Sequence, residues 1–353
     1  MEAHLKTAIF TLALAGLTLA GCQDQAGGGG EGAARQQIRI VGSSTVYPFA
    51  TAVAERFAQS NPSFKAPIVE STGTGAGMKL FCAGVGAQHP DITNASRRIK
   101  KSELEDCRKN GVNQVIEVQV GIDGLAFITA RNAQPIALTV EDVYEAIAAT
   151  PYGKPNTAKT WRDVNPALPA VAIQVYGPPP TSGTRDALAE MILDKGCNAN
   201  PEMKALKESD EDRHKQICTK VREDGAYVET GENDNLLVQK VSANPGAVGV
   251  MGYSFLEENA NAVQGLALGG VAPTYQTISS FDYPGARPLF IYVKGEHVSA
   301  IPGLKEYLAE FARGWGERGY LVQRGLIASP PEIQASAAAA ATSLRPIDAS
   351  QLK

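Results

Sequence analysis

Apolar residues recur along this chain with two alternating periods. The β-branched run Ile38-Arg39-Ile40-Val41 stops at Gly42 and predicts a strand; Phe49, Val53 and Phe57 then recur at helical spacing until Asn61-Pro62. Ala66 to Glu70 predicts a second strand, followed by a Gly-rich turn and a helix through Met78 to Ala83. Asp91-Ile92 opens a short strand, and Ser102 with Glu105 forms a capping-box pattern for a helix through Cys107. Val115–Val120 and Leu125–Ala130 predict strands, Thr139 caps a helix containing Val143 and Ile147, Val171–Tyr176 predicts a strand and Thr184–Leu193 a helix. Later strands are expected at Ala247–Val250 and Pro288–Val293, a helix at Leu304–Phe311, and helical propensity in the Ala-rich 335–342 stretch. Alternating strands and helices argue for an α/β protein with mainly parallel sheets.

Two segments fall outside that alternation. Ile9 to Leu19 is almost wholly apolar, follows Lys6, and is too short for a stable bilayer-spanning helix; it reads as the core of a signal peptide, residues 1–21. It ends in Leu19-Ala20-Gly21-Cys22, the pattern of a bacterial lipobox, which makes Cys22 the expected lipidation site and a membrane the expected partner through that anchor. Residues 22–37 carry four consecutive glycines and no large apolar side chain, a flexible tether. Four cysteines remain of five. An exported chain meets oxidants, and Cys82–Cys107 and Cys197–Cys218 each flank one charged helical stretch, so those local disulfides are expected among the three pairings. A metal site competes for the same cysteines, but there is no CxxC and only four histidines occur. No cofactor is expected.

The 33 Lys and Arg against 37 Asp and Glu leave a charge of −4, which gives no electrostatic case for nucleic acid. An anionic ligand would therefore be caught by a local device. Three turns offer one: Gly42-Ser43-Ser44-Thr45-Val46-Tyr47-Pro48, Ser71-Thr72-Gly73-Thr74-Gly75-Ala76-Gly77, and Thr181-Ser182-Gly183-Thr184-Arg185-Asp186. Each places hydroxyls and free backbone N–H groups at a helix start, where partial positive charge favours oxyanions. Ordinary helix capping accounts for any one of them alone. Three at the C-terminal ends of strands point to a ligand edge. None is a Walker A loop or a GxGxxG fingerprint. A fourth segment, Asp91 to Arg98, adds Ser96 and the guanidinium of Arg97 after a short strand.

Together these segments resemble the periplasmic phosphate-binding proteins of ABC transporters, the PstS family. The matching stretches are Gly42–Pro48, Gly73–Gly77, Asp91–Arg97 and Ser182–Arg185, with weaker matches from Leu138 to Trp161 and from Asn233 to Tyr253. The resemblance implies a type II periplasmic-binding-protein fold, with two α/β lobes joined by two crossing segments that close on ligand. Gly121–Gly124 and Phe281–Arg287 look like the crossings, giving one discontinuous lobe of 38–124 plus 283–345, a second of 125–282, and a tail of 346–353. It implies phosphate contacts from Ser44, Thr45, Val46, Thr74, Ser182, Gly183 and Thr184. Some members carry a carboxylate where Arg97 stands and an arginine shortly before Ser-Gly-Thr, where this chain has Gly177-Pro178-Pro179-Pro180. Ser96, Arg97 and Arg185 are then expected at the ligand, and Asp123 or Asp234 as proton acceptor; hinge or turn hydrogen bonding accounts for those two aspartates equally well.

The reading that follows is a lipid-anchored, periplasmic, monomeric binding protein, not an enzyme, that captures inorganic phosphate and delivers it to an inner-membrane ABC permease. Another oxyanion such as sulfate or molybdate, or an adhesive or sensory surface role, fits the same lobes. A phosphatase would need a nucleophile with its base, or a metal cluster. His89, His214 and His297 lack metal-ligand spacing, and Ser182 is not in a GxSxG elbow.

Overall fold

A computed structural model describes residues 35–134, 136–231 and 234–352. The signal segment, Cys22 and nearly all of the tether lie outside the described residues. Nine strands build the sheet: β1 (Arg39–Gly42), β2 (Ile68–Ser71), β3 (Ile92–Ala95), β4 (Val115–Ala130), β5 (Val175–Gly177), β6 (Tyr227–Glu229), β7 (Val248–Gly252), β8 (Val263–Gly265) and β9 (Ala286–Lys294). Their order is β2-β1-β3-β9-β4-β7-β5-β6, with β8 on the far half of β4.

The expected parallel pairing holds on the two wings, β1 with β2 and β3, and β5 with β6 and β7. Around β4 and β9 the pairing is antiparallel. Two expected strands and the expected crossing segment between them are one continuous strand, β4. Its first part pairs with β9, slips register between Gln119 and Gly121, and its second part pairs with β7 and β8. A Cβ at Gly121 would lie 2.5 Å from the Leu326 side chain, so glycine lets the C-terminal segment pack directly on the strand here.

The β4–β9 pair stands between two apolar cores. One gathers Phe57, Ile92, Ile116, Val118, Leu289, Ile291, Tyr307 and Phe311. The other gathers Phe127, Tyr144, Trp161, Ile192, Val250 and Met251. Helix Tyr47–Ser60 shows how pattern becomes packing. Phe49, Ala50, Val53, Ala54 and Phe57 form its buried stripe, and Phe57 meets Tyr307 edge-on at 6.0 Å between ring centres. A smaller cluster around Phe81 and Tyr292 includes Cys82 and Cys107. The expected disulfides Cys82–Cys107 and Cys197–Cys218 are both formed. Closing loops of this size restricts the unfolded chain by ~3 kcal/mol each.

Several local expectations shift. The helix after β3 runs Lys101–Lys109, and its first turn is tied by Glu103, which accepts from the Lys100 N–H at 2.8 Å, rather than by Ser102 and Glu105. The strand expected at 171–176 is confined to β5, with an isolated bridge at Ala172. The helix from Gly183 passes into a π-helical turn over Leu188–Leu193, a departure often found at functional sites. Among the described residues no helix is long and apolar enough to cross a membrane.

Candidate functional site

Because β1, β2 and β3 run parallel, their C-terminal ends share one edge, and the loops after Gly42, Ser71 and Ala95 gather there. Gly42 allows the crowding. At φ +123° it sits against β3, where a Cβ would be 2.2 Å from the Asn94 carbonyl oxygen. Helix Tyr47–Ser60 begins at Val46 and helix Thr74–Cys82 at Gly73, and neither of these two residues supplies a side-chain cap. In the first turn the Ser43 hydroxyl accepts from the Val46 N–H at 3.4 Å, whereas among the described residues no side-chain cap accounts for the second. The third turn is capped, because the Ser182 hydroxyl accepts from the Thr184 N–H at 3.2 Å.

The third loop meets the first directly. A Cβ on Gly183 would stand 3.0 Å from Thr45 Cα and 3.1 Å from its nitrogen. Thr45 donates its hydroxyl to the Gly183 carbonyl at 3.2 Å, and Ser44 donates to the Asp186 carboxylate. Thr74 and Ser96, both buried, form a directional chain. The Ser96 N–H donates to Thr74 Oγ1 at 3.1 Å, Thr74 donates to Ser96 Oγ at 2.9 Å, and Ser96 donates to Glu190 Oε2 at 3.1 Å.

The cation at the centre of these groups is Arg287, only 6% exposed. Its Nε donates to Asp123 Oδ2 at 3.0 Å, its Nη2 to Thr45 Oγ1 at 2.7 Å, and its Nη1 to Glu190 Oε2. Asp123 is its cross-strand neighbour, so the β4–β9 register builds this pair. The two arginines singled out in the sequence are engaged elsewhere. Arg97 makes a bidentate pair with Glu103 at 2.8 and 2.9 Å. Arg185 lies over the Tyr227 ring, donates to the Pro178 carbonyl at 3.0 Å and pairs with Glu229 at 3.5 Å. No hydrogen bond between described residues joins Asp234 to the cluster, and burial pushes its carboxyl up to about 6.

The structure thus brings together Ser44, Thr45, Thr74, Ser96, Gly183 and Asp123, with Val46 at the helix start beside them, and adds Arg287, Asp186 and Glu190. Arg287 lacked a motif. Its signal was a lone charge heading the apolar run Pro288–Val293. Asp186 and Glu190 were legible as four-residue spacing on one helical face, continued by Asp194. Beside the cluster opens a cleft of about 440 Å³, lined by Thr74, Ser96, Arg287 and Glu190 of the cluster, by Arg97, and by Lys195, Lys207 and Lys215 with Asp194 and Glu211. Burial and the nearby Arg287 hold the Lys195 ammonium below its ordinary range. The grouping of Cys197, His214 and Cys218 has both sulfurs in a disulfide, and His214 Nε2 lies 2.9 Å from Asn198 Oδ1.

Such an arrangement can desolvate a small oxyanion with neutral donors and one buried guanidinium. Residues 28–314 match the PBP superfamily domain. The chain is 35% identical to protein SphX of Synechococcus elongatus over 269 residues, 74% of this chain and 69% of the relative. The chain belongs to the PstS/SphX family of the PBP superfamily. The phosphate-binding protein PstS of Staphylococcus saprophyticus is 29% identical over 83% of this chain and 81% of its own. The crystal structure of a possible phosphate binding protein from Planctomyces limnophilus superposes with a TM-score of 0.70 at 30% identity, covering 87% of this chain and 98% of that one. The PstS/SphX family comprises substrate-binding proteins of phosphate transport rather than enzymes.

Proposed function

We propose that this protein captures inorganic phosphate at the Arg287 cluster and delivers it to an ABC-type importer in the inner membrane, acting as a periplasmic monomer held to the membrane through a lipid on Cys22. Residues 38–124 with 283–345 form one lobe and 125–282 the other. The observation that carries the reading is the convergence of a buried guanidinium, four hydroxyls and the uncapped helix start at Gly73 at one sheet edge. Phosphate contacts come from Ser44, Thr45, Val46, Thr74, Ser96, Ser182, Gly183 and Thr184. Arg287 takes the electrostatic role first expected of Arg97 and Arg185.

Lobe closure follows from differential contact, since an ion touching both Thr45 and Gly183 binds the closed arrangement better than the open one. Asp123 is the better placed of the two expected proton acceptors, because it already reaches the cluster through Arg287. Calorimetry on the mature protein, stripped of phosphate, tests the reading: one phosphate per chain is expected, with sulfate and molybdate silent. Heat with sulfate or molybdate but none with phosphate would overturn it. Loss of phosphate-over-sulfate preference in Asp123→Asn is the expected outcome for the acceptor role.

A further inference from the structure

Arg287 is outnumbered. Two carboxylates, Asp123 and Glu190, share its single positive charge. Asp123 cannot leave easily, because its backbone is locked in β4 directly opposite Arg287. Glu190 differs in three respects. Its side chain is 44% exposed. It comes from the π-helical turn Leu188–Leu193, in another segment of the chain. One oxygen, Oε2, receives both Arg287 Nη1 and the Ser96 hydroxyl. Two donors from separate segments converging on a single oxygen define an oxyanion position, and a side chain of the protein itself fills it.

We propose that Glu190 is a built-in competitor for the ligand. Its Oε2 occupies the place of one oxygen of the bound anion, and phosphate enters Arg287 and Ser96 only as Glu190 swings out. The inference rests on the phosphate reading of the site. The cleft supplies the landing place, since Arg97, Lys100, Lys195, Lys207 and Lys215 in its lining outnumber the carboxylates Asp194 and Glu211 there. Glu190 therefore sets affinity and specificity together. An arriving anion must outbid a carboxylate for a guanidinium, which a dianion does and a monoanion does poorly. In the empty protein the same contact ties the third-loop helix to β9 and to the loop after β3.

The test compares the full mature chain with Glu190→Gln, which keeps size and removes charge. In calorimetry with inorganic phosphate the variant is expected to bind about tenfold tighter, the scale of one charge-assisted hydrogen bond no longer opposed. It should also gain measurable binding of nitrate, a monoanion expected to give no heat with the parent protein. Hydrogen exchange on the empty protein gives a readout without ligand: amides of 183–190 should exchange faster in the variant. Weaker phosphate binding by Glu190→Gln would overturn the inference and make Glu190 a ligand of the protonated anion. Unchanged affinity and unchanged exchange would overturn it as well. If the parent protein itself binds no phosphate, the functional reading has failed; the exchange experiment still decides whether the Glu190 contact holds the empty site.

Discussion

Strand β9 carries a buried cation near each end, and the two are held in opposite ways. Lys294, its last residue, is fully buried, donates to the Gly84 carbonyl and lies 5.0 Å from the centre of the Phe81 ring. The neighbouring Asp91, also fully buried, accepts from the Arg39 N–H at 2.7 Å, from His297 Nδ1 at 2.7 Å and from the Arg35 guanidinium. The Gly86 N–H donates to His297 Nε2 at 3.0 Å, which leaves Nδ1 as the donor toward Asp91. These partners are backbone groups or enclosed side chains. Arg287, at the other end, depends on Thr45, Asp123 and Glu190, three side chains from three separate segments. Fixed partners make a buried charge part of the fold, whereas partners that can leave make it a place for a ligand.

Substitution should separate the two ends most sharply. Asp91→Ala strands Arg35, His297 and the Arg39 N–H without their acceptor and is expected to cost about 3–5 kcal/mol of stability in denaturant unfolding, with phosphate affinity of the folded fraction unchanged. Arg287→Gln should do the reverse, raising the phosphate Kd about a hundredfold while unfolding close to the parent midpoint. Equal stability losses in both variants would break the comparison.

A smaller effect is expected at the contact between loops. Gly183→Ala places a methyl 3.0 Å from Thr45 Cα, so the two loops must part by a few tenths of an ångström. Overpacking of this kind costs about 1 kcal/mol or more, and here it should fall on binding rather than on folding. Calorimetry and thermal unfolding of the same preparation check it.

A last effect concerns pH. Burial lowers the Lys294 ammonium to about 8 from 10.5. Below pH 8 the native state carries the cost of a buried charge. Between 8 and 10.5 the unfolded chain holds the extra proton, so this group makes stability rise with pH. Lys294→Met should flatten that rise in urea titrations between pH 7.5 and 10.5. A rise of the same size in the variant assigns it to another group.

The loops were legible because their chemistry is local: Ser44, Thr45, Thr74 and Gly183 sit in Gly/Ser/Thr runs whose only economical uses are capping or anion binding. The wing strands other than the three-residue β6, and both disulfides, were legible from β-branched runs and cysteine placement. Arg287 was not, because its role is made by register. Only the pairing of β4 with β9 sets it opposite Asp123, and only the meeting of loops brings Thr45 to it. Arg97 lines the cleft, but its pairing was not legible either: Glu103, six residues on, holds it in a bidentate pair. The continuity of β4 was hidden by Gly121 and Gly124, which read as a crossing segment between two strands and admit Leu326 and Ile327 against the one strand.

Arg35 adds one more consequence. It donates to Asp91 and to the carbonyls of Ala87 and His89, just before β3 begins, while Ser96 lies just after β3 ends. The chain therefore enters the folded body at the pole opposite the cleft. Arg35 thus pins the start of the described chain to the end of the sheet away from Ser96, so strain applied there reaches the Asp91 network before it reaches the ligand loops.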